Sequence, residues 1–93
     1  MDKNILKNKI EKLINHYKAG NFVHVIKEGQ IVIKKIPNNI FLTNLIAMSH
    51  QAIGNFKLAI SGYYHIIGLD NKNKEAYNNL GTVFKSTNDL YES

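Results

Sequence analysis

A 34-residue internal repeat is the feature that most restricts how this 93-residue chain can fold. The tripeptide Gly-Asn-Phe occurs at 20–22 and again at 54–56, and an Asn-Asp-Leu sequence follows at 88–90. At the same offset, the stretch 37–39, which begins with Pro37, corresponds to the Asn-rich stretch 71–73. Units of such a period bury their apolar faces by stacking on one another, so the sequence predicts an array of similar units.

Two helices are expected in each unit, because apolar residues recur at three- and four-residue spacing. The predicted helices are 3–18, 22–35, 39–52, 56–68 and 74–86, and a turn near Asn88 is expected to start a sixth. Glycine tolerates the positive φ that ends a helix, which is the role expected of Gly20 and Gly54. Asn55, Asp70 and Asp89 are expected to cap the helices that follow them. The competing prediction is a β-strand at 31–33, a run of β-branched residues.

The repeat unit resembles the tetratricopeptide repeat (TPR). Tyr77, Leu80 and Gly81 match its opening, and Ala59 and Tyr63 match its second helix. The resemblance implies an all-α fold, a right-handed superhelical solenoid of antiparallel helix hairpins. It also implies one domain over 1–93, with units at about 6–39, 40–73 and a truncated 74–93.

Small residues at Ala47 and Gly81 are expected to let neighbouring helices approach closely. The first unit departs from the TPR pattern, with Leu13 at a small-residue position and Gly29 at an aromatic one. We therefore expect the first unit to be the least regular.

In TPR proteins the first helices of the units line a concave face that typically takes an extended or helical peptide. The resemblance places the following residues on that face: Lys7, Ile10, Ile14, Tyr17, Phe41, Asn44, Met48, Gln51, Asn78, Thr82 and Lys85. A clamp for a peptide carboxylate is not expected, since Leu45 and Glu75 occupy two of its positions. The prediction is a non-catalytic scaffold that binds a protein or peptide segment. The alternative is the N-terminal substrate-recruiting array of a larger glycosyltransferase or sulfotransferase.

Catalytic, metal and cofactor sites are not expected. Cysteine is absent, and the seven acidic residues form no close pair in the sequence. No glycine-rich phosphate loop or nucleophile motif occurs either. His16 and His50 are 34 residues apart and are predicted to be packed, hydrogen-bonded side chains rather than a metal pair.

The net charge is +5, and all twelve basic residues other than histidine are lysines. Arginine is the residue that reads phosphate and guanine bidentately, so specific nucleic-acid recognition is not expected. Weak lysine-driven binding to phosphates stays open as a third hypothesis. No segment approaches the roughly 20 apolar residues that span a bilayer, and no secretory signal is recognisable, so we expect a cytoplasmic protein without membrane contact.

The last unit is predicted to leave an apolar surface bare. Its residues are Leu80, Val83, Phe84, Leu90 and Tyr91. The chain is therefore expected to self-associate through this end or to fray from residue 86 onward, and to be a fragment or the N-terminal part of a longer protein.

Overall fold

The structure is a computed structural model that describes the backbone of residues 3–92 and the side chains of residues 3–88. It contains five helices: α1 (Lys3–Lys18), α2 (Phe22–Ile33), α3 (Ile40–Ala52), α4 (Phe56–Leu69) and α5 (Lys74–Glu92). No strand occurs within residues 3–92, and the β-branched run 31–33 forms the last turn of α2. The all-α prediction is confirmed, and the strand alternative is wrong because the run lies in an amphipathic helix that buries Val32.

Glycine ends two of the helices. Gly20 has a φ of 82° and Gly54 a φ of 87°, so both adopt the left-handed conformation that the sequence predicts. Their N–H groups donate to the carbonyl oxygens of Tyr17 (3.0 Å) and Gln51 (3.1 Å). The chain thus reverses within three residues, first between α1 and α2 and again between α3 and α4.

Asparagine caps two other helices. The Oδ1 atom of Asn39 accepts the N–H of Leu42 at 2.8 Å at the start of α3. Asn73 accepts from Ala76 at 2.9 Å near the start of α5. Asn55, in contrast, makes no side-chain cap bond to α4, so the prediction of a cap there is wrong.

The predicted cap at Asp70 is also wrong. Asp70 follows the end of α4, and its Oδ1 atom accepts the N–H of Lys72 at 3.2 Å, within the turn that precedes α5. The residue that caps α5 is Asn73, which lies immediately before the helix. The side chain of Asp89, a second predicted cap, lies outside the described residues.

Each helix packs against the next, and α3 also contacts α1 and α5. Within residues 3–92, no other two helices come into contact. The molecule is elongated, with dimensions of 48 × 29 × 17 Å. Helix α3 therefore lies at the centre of the packing.

The core forms two clusters, and α3 contributes to both. Helices α1, α2 and α3 bury Leu13, Val25, Val32, Leu42, Leu45 and Ile46. Helices α3, α4 and α5 bury Ala47, Ala59, Tyr63, Ile66, Ala76, Leu80 and Val83. Because α3 is covered on both sides, it carries no lysine, aspartate or glutamate.

Small residues allow α3 and α4 to approach closely, as predicted for Ala47. A Cβ atom added at Gly62 would lie 2.8 Å from the Cβ atom of Ala47, closer than two side chains can pack. Gly29 of α2 similarly leaves room for the side chain of Ile46. A Cβ atom added at Gly81 would meet no described atom within 4 Å, so the close approach predicted there is wrong.

Helix α5 runs without interruption to Glu92, so the predicted turn near Asn88 and the sixth helix are wrong. The weak third copy of the Gly-Asn-Phe motif explains the difference. It has Thr87-Asn88 where the other units have Ala19-Gly20 and Ile53-Gly54, and it therefore offers no glycine to end the helix.

The predicted bare surface at this end is corrected in part. Leu80 and Val83 are buried against α4, because α5 turns them toward the second cluster. Phe84 is 46% exposed, in agreement with the prediction. The side chains of Leu90 and Tyr91 lie outside the described residues.

Candidate functional site

The predicted groove residues lie on α1, α3 and α5, and they fall into two classes by exposure. The exposed class comprises Lys7, Phe41, Asn78, Thr82 and Lys85, and the half-buried class comprises Ile10, Ile14, Tyr17, Asn44, Met48 and Gln51.

The residues on α1 mainly pack rather than face solvent. Ile14 and Tyr17 pack against the first core cluster, and the ring centre of Tyr17 lies 5.3 Å from that of Phe22. Ile10 and Lys7 line a shallow pocket of about 330 Å³ that reaches Asn39. Of the predicted groove residues on this helix, Lys7 is the exposed one.

Gln51 is turned toward α4. Its Oε1 atom accepts a hydrogen bond of 2.7 Å from the hydroxyl of Tyr63. Burial raises the pKa of Tyr63 well above its usual value, and the nearby Tyr17 and Glu75 add to the shift. The hydroxyl therefore remains protonated and keeps the Oε1 atom of Gln51 engaged.

Helices α3 and α5 are joined by a polar group that we call the Asn44 cluster, made of Asn44, Met48, Glu75 and Asn79. The Nδ2 atom of Asn44 donates to Glu75 Oε1 at 3.0 Å and to the sulfur of Met48 at 3.3 Å. Asn79 donates from Nδ2 to Asn44 Oδ1 at 3.1 Å. Three partners thus fix the orientation of the Asn44 amide.

Two members of this cluster, Glu75 and Asn79, are absent from the predicted groove residues. Both lie on one side of α5, because residues four apart are neighbours on a helix surface. Glu75 occupies the same repeat position as Phe41, which the sequence analysis did place on the face. This equivalence could have predicted from the sequence that Glu75 lies on the face. The position of Asn79 in the cluster is set instead by the rotation of α5 about its axis relative to α3.

The Asn44 cluster borders an accessible surface. Phe41, one turn before Asn44 on α3, is 54% exposed. On α5, Thr82 is exposed and donates from its hydroxyl to the backbone oxygen of Asn78 at 3.1 Å. Among the described residues, Asn79 has no second partner, so one N–H and its side-chain oxygen can pair with a ligand.

His16 and His50 occupy equivalent positions in the first two units, each in contact with an asparagine. His50 is buried, and its Nδ1 atom lies 3.3 Å from the Nδ2 atom of Asn55. The equivalent pair in the first unit, His16 and Asn21, has the same contact at 3.2 Å. Burial lowers the pKa of His50. In the described part of the chain, no group of three or more histidine, aspartate or glutamate residues could hold a metal ion.

The geometry thus offers an amide cluster beside an exposed aromatic ring, which is suited to non-covalent binding. None of the described helices is both long and apolar enough to cross a membrane. No protein-family model matches the chain, and a search of curated proteins finds no significantly similar sequence.

Proposed function

We propose that the chain is a TPR-like, right-handed superhelical solenoid of two full helix hairpins and part of a third. Two features that repeat at 34 residues support this arrangement. The His16–Asn21 contact recurs as His50–Asn55, and the positive φ of Gly20 recurs at Gly54. The contacts of α3 with both α1 and α5 are those expected when the first helices of successive hairpins lie side by side.

Its function, in this proposal, is that of a non-catalytic scaffold that binds an extended segment of a partner protein. The binding surface is the face shared by α1, α3 and α5. The observation that carries the proposal is the Asn44 cluster, in which Asn44, one turn of α3 after the exposed Phe41, orients Asn79.

The chemistry of this surface suits a peptide in an extended conformation. A side-chain amide has one donor and one acceptor edge, and so it can pair with both the C=O and the N–H of a peptide bond. Asn79 has those groups available, and because Asn44 holds it, little side-chain entropy is lost on binding. The exposed ring of Phe41 provides an apolar contact for a bulky side chain of the same peptide.

The test is a selection from a library of random 12-residue peptides on the immobilised chain. Enriched peptides are then measured by fluorescence anisotropy against three forms: the wild type, Asn79→Ala and Phe41→Ser. Loss of one ordered hydrogen-bond pair and of one aromatic contact should weaken each peptide about fivefold to twentyfold in either variant.

A matched control is Val23→Ser on α2, which removes another strongly exposed apolar side chain outside this face. It should leave the affinities unchanged. If no peptide is enriched, or if the enriched peptides bind Asn79→Ala and Phe41→Ser as tightly as the wild type, the proposal is wrong. Far-ultraviolet circular dichroism melts of the three variants verify that each is folded.

A further inference from the structure

A second surface of the molecule lies between α1 and α2, away from the Asn44 cluster. It encloses a pocket of about 230 Å³ lined only by these two helices. We call it the outer face and define it by Lys9, Lys12, His16, His24, Glu28 and Ile31.

The internal repeat provides a second surface, in the next unit, with which the outer face can be compared. A second pocket lies between α2, α3 and α4. The residues that line it on α3 and α4 correspond, at the repeat offset of 34, to nearly all the residues of the outer face. Lys9, Lys12, His16, His24, Glu28 and Ile31 take the places of Thr43, Ile46, His50, Leu58, Gly62 and His65. The two surfaces are therefore equivalent parts of successive units.

In the second unit this surface packs against a helix. Ile33 and Pro37 of the α2 segment border the pocket, and the backbone of Gly29 lies against the side chain of Ile46. The Nε2 atom of His65 lies 3.4 Å from the carbonyl oxygen of Pro37. The geometry of the surface is thus one that accepts a helix: α2 packs against α3, and the turn that follows α2 reaches His65 of α4.

The outer face occupies the same place in the first unit as this surface does in the second unit, but it carries more positive charge. Lys12 stands at the position of the buried Ile46, and Lys9 at that of Thr43. Leu13 forms a buried apolar floor, and Ile31 at the rim is 52% exposed. An apolar helix such as α2 would bury these lysine charges without a partner, at a high cost in free energy.

The charge of the whole chain is concentrated on this hairpin. Eight of the twelve lysines and three of the seven acidic residues precede Ile36, so this segment carries the entire net charge of +5 and the rest of the chain is neutral. A partner that fits the outer face must therefore combine an apolar stripe with negative charge.

From this complementarity we propose that the outer face binds an acidic amphipathic helix of another protein, which packs there as α2 packs against α3. Its apolar residues contact Leu13 and Ile31, and its carboxylates pair with Lys9 and Lys12. The concave shape and the presence of Glu28 favour a helix over a flat anionic surface such as a nucleic acid or a lipid headgroup layer.

The chain itself provides the probe. A fluorescent peptide of residues 22–37 keeps the contacting residues Ile33 and Pro37, and it carries Gly29→Glu and Gln30→Glu at the positions that face the pocket. Lysines are removed from the probe by Lys27→Gln, Lys34→Gln and Lys35→Gln. The control peptide is identical except for Gly29→Gln, with Gln30 retained. Fluorescence anisotropy with the full chain should give an affinity about tenfold higher for the acidic peptide at low salt.

Variants of the protein locate the site. Lys12→Glu and Lys9→Glu should remove the preference for the acidic peptide, whereas Lys57→Glu on α4, an exposed lysine outside the outer face, should retain it. A peptide with lysine at positions 29 and 30 should bind the Lys9→Glu, Lys12→Glu double variant more tightly than it binds the wild type. Asn79→Ala should have no effect, which separates this surface from the proposed peptide groove.

Several results would overturn the proposal. Equal affinity for the two peptides, no binding of either, or an equal effect of Lys57→Glu and Lys12→Glu would each do so. The proposal also fails if the same lysines are required for tighter binding to anionic phosphatidylserine vesicles or to a random 20-nucleotide RNA. Sedimentation of the chain alone is the last test, because a dimer that Lys12→Glu disrupts would assign the outer face to a second copy.

Discussion

Asn39 and Asn55 each stand directly before a helix, yet they use their side chains differently. Asn39 caps α3, whereas Asn55 faces the ring of His50. We predict that Asn39→Ala lowers the free energy of unfolding by about 1 kcal/mol, the usual value of an N-cap bond. Asn21→Ala, which removes the exposed contact to His16, should cost less than half as much. Urea denaturation of both variants measures the difference, and equal losses would contradict the assignment of the cap.

Burial of His50 makes the stability of the chain depend on pH. In the unfolded chain its pKa is about 6.5, whereas in the folded chain burial lowers it. As the pH falls below the unfolded value, the unfolded state binds the proton first, so the folded state loses stability. The loss levels off once the pH is below the folded pKa. Above the unfolded value both states are neutral, and this contribution is constant.

We therefore predict that the melting temperature falls between pH 7 and pH 5, and that His50→Gln makes the profile flatter over this range. A slope that survives in His50→Gln would show that another group is responsible. Thermal melts at closely spaced pH values provide the measurement.

For single residues, the sequence predicted the structure where one residue determines the local backbone conformation. Gly20 and Gly54 were predictable because few other residues accept a positive φ. The helix caps could not be predicted in the same way, because the side chain of an asparagine before a helix can bond either to a backbone N–H of the helix or to another side chain. His50 provides that second partner to Asn55, and only its position in the packed hairpin makes the contact.

At the level of helices, the close packing of α3 against α4 depends on Gly62. We predict that Gly62→Ala destabilises the chain by about 1–3 kcal/mol, because the new methyl group would overlap Ala47. Gly81→Ala on α5 is the matched substitution, since no described atom lies near it. It should stabilise the chain by up to about 1 kcal/mol through helix propensity alone. If both variants shift the chemical denaturation midpoint in the same direction, the close approach is not what matters at Gly62.

The four short helices were predicted to within one or two residues, because their apolar spacing agrees with clear stop signals. The end of helix α5 was predicted wrongly, because the expectation of a turn and a sixth helix was based on the period of the repeat rather than on the residues at that place. Asn88 stands at the position of the glycine that ends α1 and α3, and the helix continues through it. In the groove, the rotation of α5 that brings Asn79 to Asn44 could not be read from one sequence.

For the molecule as a whole, the exposed side of α5 presents an apolar surface suited to self-association. Tyr77 and Phe84 are both about half exposed on this helix, with Gly81 between them. We predict that the chain forms a weak, concentration-dependent dimer in sedimentation velocity experiments, and that Phe84→Gln shifts it to monomer. The substitution should change stability by less than about 0.5 kcal/mol, as is usual for exposed positions. A chain that is monomeric at high concentration without the substitution would contradict this prediction.

The position of α3 between the two core clusters has a consequence for the order in which the molecule folds. All described contacts between helices join neighbours or next-but-one neighbours along the sequence, so little loop closure is needed and folding should be rapid. Neither cluster can form without α3, whereas each can form without the outermost helix on the other side. The folding nucleus should therefore contain α3 with either α2 or α4, and the two routes compete. A substitution such as Leu42→Ala, which weakens only the first cluster, should divert folding through α4 rather than stop it.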